Sequence, residues 1–241
     1  MLAQDAFTTT KVSDTKIFCM EILADDVNLD CNGKKIIGSV VGPPDKPHKD
    51  AYPSEARWAV AIEGDNAIVQ NCEIEGSFSV LQSKGSVIKD NKITLTNFVK
   101  QETTYPESLQ IKSSQDITIA NNLFIGRNDV SAKKSLGAAE IHIFESEGIN
   151  FRNSSGEGSL FIQDNSKLTI VSNSLWRLTI FSSDGKMEKN DMPLLQVSDS
   201  PDMLIEENLV VGAEYPAFSG IGILSGKVKN NVFCGPRPEI M

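Results

Sequence analysis

A short pattern recurs along the chain and constrains the fold more than any other feature of the sequence. An alternating apolar run is followed by one or two asparagines and then by a second apolar run that often ends at glycine. Clear copies lie at 68–76, 87–93, 117–126, 205–212 and 228–235, and weaker ones centre on Asn153, Asn173 and Asn190. Alternation with a period of two is typical of strands with one buried face. The pattern therefore predicts many short, evenly spaced strands.

Each copy is preceded by another alternating strand and a polar turn, as in 109–112 followed by 113–116. One unit is thus strand, polar turn, strand, asparagine turn, strand and a variable loop. Such a unit cannot bury its inward face alone, but stacked units share one core. We therefore predict an all-β fold, a right-handed parallel β-helix solenoid of about eight or nine coils. It forms one domain over 1–241, with 1–16 as a cap or edge segment and 17–235 as coils.

The asparagines recur at one corner of the predicted coil, at Asn91, Asn122, Asn173, Asn190, Asn208 and Asn231. Asparagine tolerates left-handed backbone geometry, and its amide can bond to the coils above and below. These residues predict an asparagine ladder. A β-sandwich or an α/β fold with asparagine-rich turns is the alternative. The near absence of helical periodicity, and insertions confined to one corner, favour the solenoid.

The charge of the chain limits its partners. The 241 residues carry a formal net charge of −9, so no nucleic acid and no anionic membrane surface is predicted as a partner. No stretch reaches the roughly 18 apolar residues that span a bilayer. The first residues lack the features of a signal peptide. The sequence leaves open whether the protein is cytosolic or begins after a removed signal.

The segment CMEILADDVNLDCNGKKIIG at 19–38 resembles the opening coil of secreted and cell-surface right-handed β-helix proteins. These belong to the pectate-lyase-like superfamily, which includes the NosD-type repeat proteins. With the later asparagine copies, the resemblance covers about residues 15–235. It implies an extracellular or cell-surface protein and a disulfide between Cys19 and Cys31, with buried thiols as the alternative. Because this architecture hosts lyases, hydrolases, epimerases, adhesins and inert scaffolds, it implies a fold rather than one activity.

In enzymes of that superfamily, substrate lies along the sheet made by the first strand of each coil. Alternation predicts inward pairs there, such as Leu109/Ile111, Ile141/Ile143 and, in the last coil, Ile221/Ile223. Two outward columns follow, Ala61, Ser79, Gln110, His142, Phe161, Thr179, Gln196, Gly222 and Glu63, Leu81, Lys112, Phe144, Gln163, Phe181, Ser198, Leu224.

These outward columns mix aromatic rings with hydrogen-bonding groups, as a sugar-binding surface does. The partner that this predicts is a polysaccharide or another glycan. The substrate-binding candidates are Gln110, Glu140, Phe144, Phe161, Gln163 and Gln196. The alternative for the phenylalanines is an apolar stripe covered by loops, or a subunit interface through which the protein self-associates.

A lyase would need a base to remove a proton and a cation to hold the developing charge. Lys112 or His142 could be the base and Arg127 the cation, under basic loops at 39–57, 97–107 and 127–137. The alternative is an ordinary surface lysine and histidine. The sequence contains neither the aspartate triad of β-helix polygalacturonases nor the Arg-x-Pro-x-x-Arg segment of classical pectate lyases. Enzymatic activity therefore stays open, beside a non-catalytic structural, adhesion or assembly scaffold.

No cofactor and no metal site are predicted. Asp25, Asp26 and Asp30 suggest calcium, but their spacing matches no calcium loop, and we interpret them as structural. The four cysteines form no CxxC pair, and only two histidines are present, so a structural zinc site is not expected.

Overall fold

The chain consists almost entirely of short strands that return to the same sheets again and again. The computed structural model describes residues 6–7, 18–38, 58–96, 107–127, 139–212, 218–222, 227–235 and 239–240. Their strands are β1 Ala6–Phe7, β2 Phe18–Ile22, β3 Asn28–Asp30, β4 Lys35–Ile37, β5 Trp58–Ile62, β6 Ile68–Gln70, β7 Glu73–Glu75, β8 Ser77–Leu81, β9 Val87–Lys89, β10 Lys92–Thr96, β11 Glu107–Lys112, β12 Thr118–Ala120, β13 Leu123–Arg127, β14 Ala139–Phe144, β15 Asn150–Arg152, β16 Ser155–Gly156, β17 Gly158–Gln163, β18 Leu168–Val171, β19 Arg177–Phe181, β20 Gly185–Glu188, β21 Asp191–Met192, β22 Leu194–Ser198, β23 Met203–Glu206, β24 Leu209–Val211, β25 Phe218–Ile221, β26 Val228–Lys229, β27 Val232–Cys234 and β28 Glu239–Ile240.

These strands form three sides of a stack. Sheet 1 has the order β2-β5-β8-β11-β14-β17-β19-β22-β25-β28, and sheet 2 has the order β26-β23-β20-β18-β15-β12-β9-β6-β3. Sheet 3 comprises two groups of strands, β1-β4-β7-β10-β13-β16 and β21-β24-β27. Isolated bridges from Ser174 to Ser155 of β16 and to Asp191 of β21 connect the two groups. Neighbouring strands in all three sheets run parallel, as in the pairs of β11 with β14 and β12 with β15. The prediction of an all-β fold with stacked parallel strands, a β-solenoid, is confirmed.

The core runs along the axis of the stack and is filled by the inward side chains of all three sheets. In sheet 1 the predicted inward residues are fully buried from Val60 and Ile62 through Leu195 and Val197. The last coil differs from the prediction. Leu195 faces Phe218 and Val197 faces Gly220, so the inward pair Ile221/Ile223 was wrong by three residues. Phe218 takes the core position in place of Ile221, because its ring is fully buried and stacks on the ring of Phe233 with the centroids 4.7 Å apart.

The corner between sheets 2 and 3, the asparagine corner, holds a column of hydrogen-bonded side chains. The main-chain N–H of each column residue donates to the side-chain oxygen of the next, from Asn91 at 3.1 Å to Asn208 at 2.9 Å. The column comprises Asn91, Asn122, Ser154, Asn173, Asn190, Asn208 and Asn231. The amide groups of the asparagines also donate to main-chain carbonyls of the preceding coil, as that of Asn122 does to Ile88 at 2.9 Å.

The sequence predicts left-handed backbone geometry at the column asparagine itself. In the structure the left-handed residue is the exposed one directly before it. Asp90, Asn121, Ser172 and Lys189 all have φ between 54° and 57°. The left-handed residue turns the chain at the corner, and the side chain after it is buried in the coil. That inward position selects asparagine, whose amide can both donate and accept hydrogen bonds.

A second column, which the sequence analysis described only as a polar turn, lies at the serine corner between sheets 1 and 2. The N–H of Ser83 donates to the hydroxyl of Ser114, and the N–H of Ser114 donates to Ser146. The column continues through Asn165, Ser183 and Ser200. All six side chains are buried, so both corners satisfy their main-chain donors internally.

The disulfide prediction is wrong. Cys31 bonds to Cys72, with a Cα–Cα distance of 4.9 Å, and not to Cys19. Cys19 lies on β2 of sheet 1, whereas Cys31 directly follows β3 of sheet 2. Cys72 stands in the asparagine corner of the next coil, where its N–H donates to the Asn91 side chain. The bond therefore joins two successive coils at one corner, with both sulfurs buried.

The long connections lie at the third corner, between sheets 3 and 1, called here the variable corner. They separate β4 from β5, β10 from β11, β13 from β14 and β24 from β25. Two predicted loop boundaries shift, because Glu107 begins β11 and Arg127 ends β13. The remainder of the three basic loops lies outside the described residues, as do most residues of the 1–16 segment. Within the described part of the chain, no helix is long and apolar enough to cross a membrane.

Candidate functional site

The outward face of sheet 1 brings most of the predicted site residues together. One column runs in register from Gln110 through His142, Phe161 and Thr179 to Gln196. The next runs from Lys112 through Phe144, Gln163 and Phe181 to Ser198. Alternation along a strand places both columns on the same side of the sheet. Beyond Gln196 the column continues to Ser219 and not to the predicted Gly222.

Four rings form a continuous cluster on this face, the aromatic row of His142, Phe144, Phe161 and Phe181. The centroids of His142 and Phe161 lie 5.4 Å apart, and those of Phe161 and Phe181 also lie 5.4 Å apart. Phe144, in the neighbouring column, packs against both rings of the first column, with its centroid 5.3 Å from that of His142 and 6.1 Å from that of Phe161. All four side chains are half-buried. The ring spacing follows the distance of about 4.8 Å between strands, so the row runs along the axis of the stack.

The same face is closed at the end nearest the first coil. Ala61 and Ser79 continue the outward column, yet they are only 1% and 0% exposed. The Ser79 hydroxyl is buried and finds no hydrogen-bond partner in the described part of the chain. Gln110 and His142 are half-buried and Lys112 is exposed. Half-buried and exposed side chains on this face therefore begin at β11 and continue toward the later coils, with Thr179 buried among them.

Arg177, which the sequence analysis did not single out, lies at the edge of the aromatic row. It pairs in register with Ser159 and Leu194. Its Nε donates to the hydroxyl of Thr179 at 3.1 Å, and its Nη2 donates to the side-chain oxygen of Gln196. These uncharged partners fix the guanidinium, and among the described residues no carboxylate pairs with it. Extending the outward alternation one step before Thr179 would have found this residue.

The three catalytic candidates do not form one compact group. Lys112 and His142 lie on neighbouring strands, but His142 pairs with Gln110, and Lys112 pairs with Phe144. Arg127 lies on β13 in sheet 3, in register with Thr96, and so belongs to a different sheet. Glu140 lies on β14 in register with Ser159. The side chains of Arg127 and Glu140 lie outside the described residues.

Most resolved ion pairs lie on the other two sheets and at the corners. On sheet 2, Lys186 and Lys189 approach Glu188 at 2.7 and 2.8 Å. Their hydrogen bonds, with Lys186 first, lower the pKa of Glu188 to about 2. On sheet 3, Glu73 lies between Lys35 and Lys92 at 3.9 and 3.7 Å. The acidic residues of these ion pairs thus lie away from the aromatic row, whereas the cations Lys112 and Arg177 lie beside it.

The aspartates considered for calcium all accept hydrogen bonds at their turns. Asp25 accepts from the Asp65 N–H at 2.8 Å, and Asp26 accepts from the Asn66 amide at 3.1 Å. Asp30 accepts from the Asn32 N–H and the Asn71 amide, which lower the pKa of its carboxyl. Nowhere in the described ranges do three or more His, Cys, Asp or Glu side chains form a group that could hold a metal ion.

Comparisons with known proteins add no family to this description. No family model matches the chain, and neither a curated protein nor a solved structure is significantly similar to it.

Proposed function

We propose that this protein is a glycan-binding β-helix that holds a polysaccharide along the outward face of sheet 1. The observation that carries the proposal is the aromatic row with amides, a hydroxyl and a guanidinium beside it. Apolar faces of sugar rings stack on aromatic side chains, while sugar hydroxyls bond to polar groups at their edges. Gln110, Gln163, Gln196 and Arg177 supply such groups next to the rings.

The fold assignment that accompanies this proposal is a right-handed parallel β-helix of eight or nine coils built on an asparagine ladder, of the pectate-lyase-like superfamily. The hydrogen bonds from Asn91 to Asn231 support the ladder. The nine strands described in sheet 2 support the number of coils. We place the protein outside the cytosol, at a cell surface or in the extracellular space, because disulfides such as Cys31–Cys72 persist in oxidising compartments.

The sharpest version of the proposal is lyase or epimerase chemistry at the open face. His142 or Lys112 would take the proton, and a cation would hold the developing charge on the sugar carboxylate. Arg177 lies on the same sheet as both bases, whereas Arg127 would have to reach across from sheet 3. The non-catalytic version needs only the aromatic row and its polar neighbours.

Binding to a panel of neutral and acidic oligosaccharides, followed by calorimetry, tests the proposal. Phe161→Ala removes the central ring and should weaken binding about tenfold or more. Thr169→Ala, an exposed change on sheet 2, is the matched control and should leave affinity unchanged. Equal affinity in Phe161→Ala and wild type would refute the site. Ultraviolet absorbance of unsaturated product, lost in Lys112→Ala or His142→Ala, would identify a lyase.

A second candidate function, an assembly or adhesion scaffold, is favoured by apolar side chains on sheet 3 near the end of the chain. Leu209, Val211 and Val232 are 41%, 49% and 52% exposed, and Leu209 faces Val232 across neighbouring strands. Adjacent exposed apolar residues often mark interaction surfaces. Light scattering over a range of concentrations tests this candidate. Self-association that Val232→Asp abolishes, with no glycan bound by wild type, would favour the scaffold.

A further inference from the structure

One tripeptide of the chain has the pattern of a glycosylation acceptor. Asn153-Ser154-Ser155 reads Asn-x-Ser with a residue other than proline in the middle. The sequence has 17 asparagines, and at no other does serine or threonine follow two residues later. Because most of these asparagines serve the corners of the stack, the structural surroundings of Asn153 decide whether the motif is accessible.

Asn153 lies on the outer side of the asparagine corner, between β15 and β16. Its side chain is exposed, and its backbone is left-handed with a φ of 50°. The buried column position in this coil is taken by Ser154, whose N–H donates to Asn173 at 2.9 Å. Asn153 is therefore not one of the asparagines that the column needs. The hydroxyl residue of the motif, Ser155, is also exposed.

The amide of Asn153 differs from those at equivalent corners. Asn71 and Asn121 donate their amide groups to an aspartate of the preceding coil, to Asp30 at 3.2 Å and to Asp90 at 3.0 Å. In the coil before Asn153 the corresponding residue is Asn121, which presents a neutral amide in place of the aspartate carboxylate. Within the described part of the chain, the Asn153 amide has no hydrogen-bond partner and points into solvent.

The Cys31–Cys72 bond indicates passage through an oxidising compartment, where asparagine glycosylation also takes place. From these observations we infer that Asn153 is an acceptor for an N-linked glycan. In the transfer, Nδ2 of Asn153 forms a bond to the anomeric carbon of a lipid-diphosphate-linked oligosaccharide. The bond from that carbon to the diphosphate oxygen breaks, and the lipid diphosphate leaves as the amide loses one proton. No oxidant or reductant takes part.

A glycan at Asn153 would extend from the corner between sheets 2 and 3, away from the open face of sheet 1. The aromatic row would therefore stay accessible, and the inference does not depend on the proposed glycan binding. A bulky hydrophilic group at this corner would hinder other macromolecules from approaching the neighbouring parts of sheets 2 and 3.

The test produces the full chain through the secretory pathway of a eukaryotic cell and measures the intact mass of secreted protein before and after peptide N-glycosidase treatment. We expect a mass loss, with aspartate appearing at position 153 in the peptide map. Ser155→Ala should abolish the modification and Ser155→Thr should keep it. Asn121→Gln, a change at the equivalent corner position of the previous coil, should not affect it.

The disulfide provides an internal check on the same molecules. Secreted protein that contains the Cys31–Cys72 bond but carries no glycan at Asn153 would overturn the inference. A glycan that persists in Ser155→Ala would also overturn it, because the modification would then lie elsewhere.

Discussion

At the scale of single residues, Asn190 shows how much hydrogen bonding one side chain of the column carries. It is 1% exposed, and its amide donates to the carbonyls of Ile170 and Glu188 at 2.9 and 3.0 Å. Its side-chain oxygen accepts from the main-chain and side-chain N–H groups of Asn173, both at 2.9 Å. Removing this amide would leave several buried polar groups without partners.

Asn190→Ala should therefore be strongly destabilising, by about 2–5 kcal/mol, because each orphaned buried group costs about 1–3 kcal/mol. Asn190→Ser should cost less, since Ser154 fills the same place in another coil. Urea denaturation monitored by circular dichroism measures both changes. The control is Asn150→Ala on the outward side of sheet 2, where a change of less than about 0.5 kcal/mol is expected. Equal losses at Asn190 and Asn150 would contradict the role given to the column.

Glu188 gives a prediction on pH. Its pKa lies at about 2 in the folded protein against an ordinary value of 4.5, because Lys186 and Lys189 bond to its ionised form. A lowered pKa stabilises the fold above about pH 4.5, and this contribution is lost as the pH falls through about 2.

Stability of wild type should therefore fall more steeply between pH 4.5 and pH 2 than stability of Glu188→Gln, which cannot titrate at this position. Denaturant midpoints across this interval measure the difference. Glu157→Gln, at an exposed carboxyl without an ion pair in the described part of the chain, is the matched control and should follow wild type. Parallel curves for wild type and Glu188→Gln would show that the pairs do not contribute.

At the scale of strands and corners, alternation predicted which residues face the core, because burial on one side of a strand imposes a period of two. It failed at β25, where FSGIGI at 218–223 offers two alternating patterns, and burial of Phe218 selects the earlier one. The serine column was missed because serine is common in turns whether or not it is buried. The disulfide was wrong because it depends on stacking between coils, which no spacing within one coil reveals.

In the candidate site, too, some features follow from alternation along a strand and others depend on tertiary packing. The outward columns from Gln110 to Gln196 follow from alternation and appear in register. The closed end at Ala61 and Ser79 could not be predicted, because alternation indicates which side of the sheet a residue faces and not whether that side is covered.

The Cys31–Cys72 bond leads to a prediction for the first coil. It closes a segment of 41 residues, for which loss of chain entropy in the unfolded state gives a stabilisation of about 4 kcal/mol. The double change Cys31→Ser with Cys72→Ser should lower stability by up to about this amount. Hydrogen exchange should rise in 18–38 and remain near wild type beyond Asn91, because coils contact only their neighbours. Cys234→Ser, at an exposed thiol, is the control, and uniform acceleration along the chain would contradict a local role.

At the scale of the whole molecule, the charge of −9 opposes the local cations Lys112 and Arg177. Long-range repulsion should slow the approach of an acidic glycan, while a neutral glycan should be unaffected. Raising the ionic strength from about 0.01 M to about 0.1 M shortens the screening length from about 30 Å to about 10 Å. The association rate constant for an acidic oligosaccharide should therefore increase with salt, and that for a neutral one should stay constant. Rates that fall with salt would show that the local cations dominate.

The variable corner differs from the other two in what it requires of the sequence. Between β7 and β8 a single glycine makes the connection, whereas between β4 and β5 the chain inserts twenty residues, 38–57. β4 pairs in register with β7, and β5 pairs in register with β8 from Val60 onward, after a bulge between Trp58 and Val60. Length at this corner is thus decoupled from the core, which makes it a natural grafting point. Foreign peptides could be inserted at Pro193, between β21 and β22 and beside the open face, as interchangeable specificity loops on an unchanged frame.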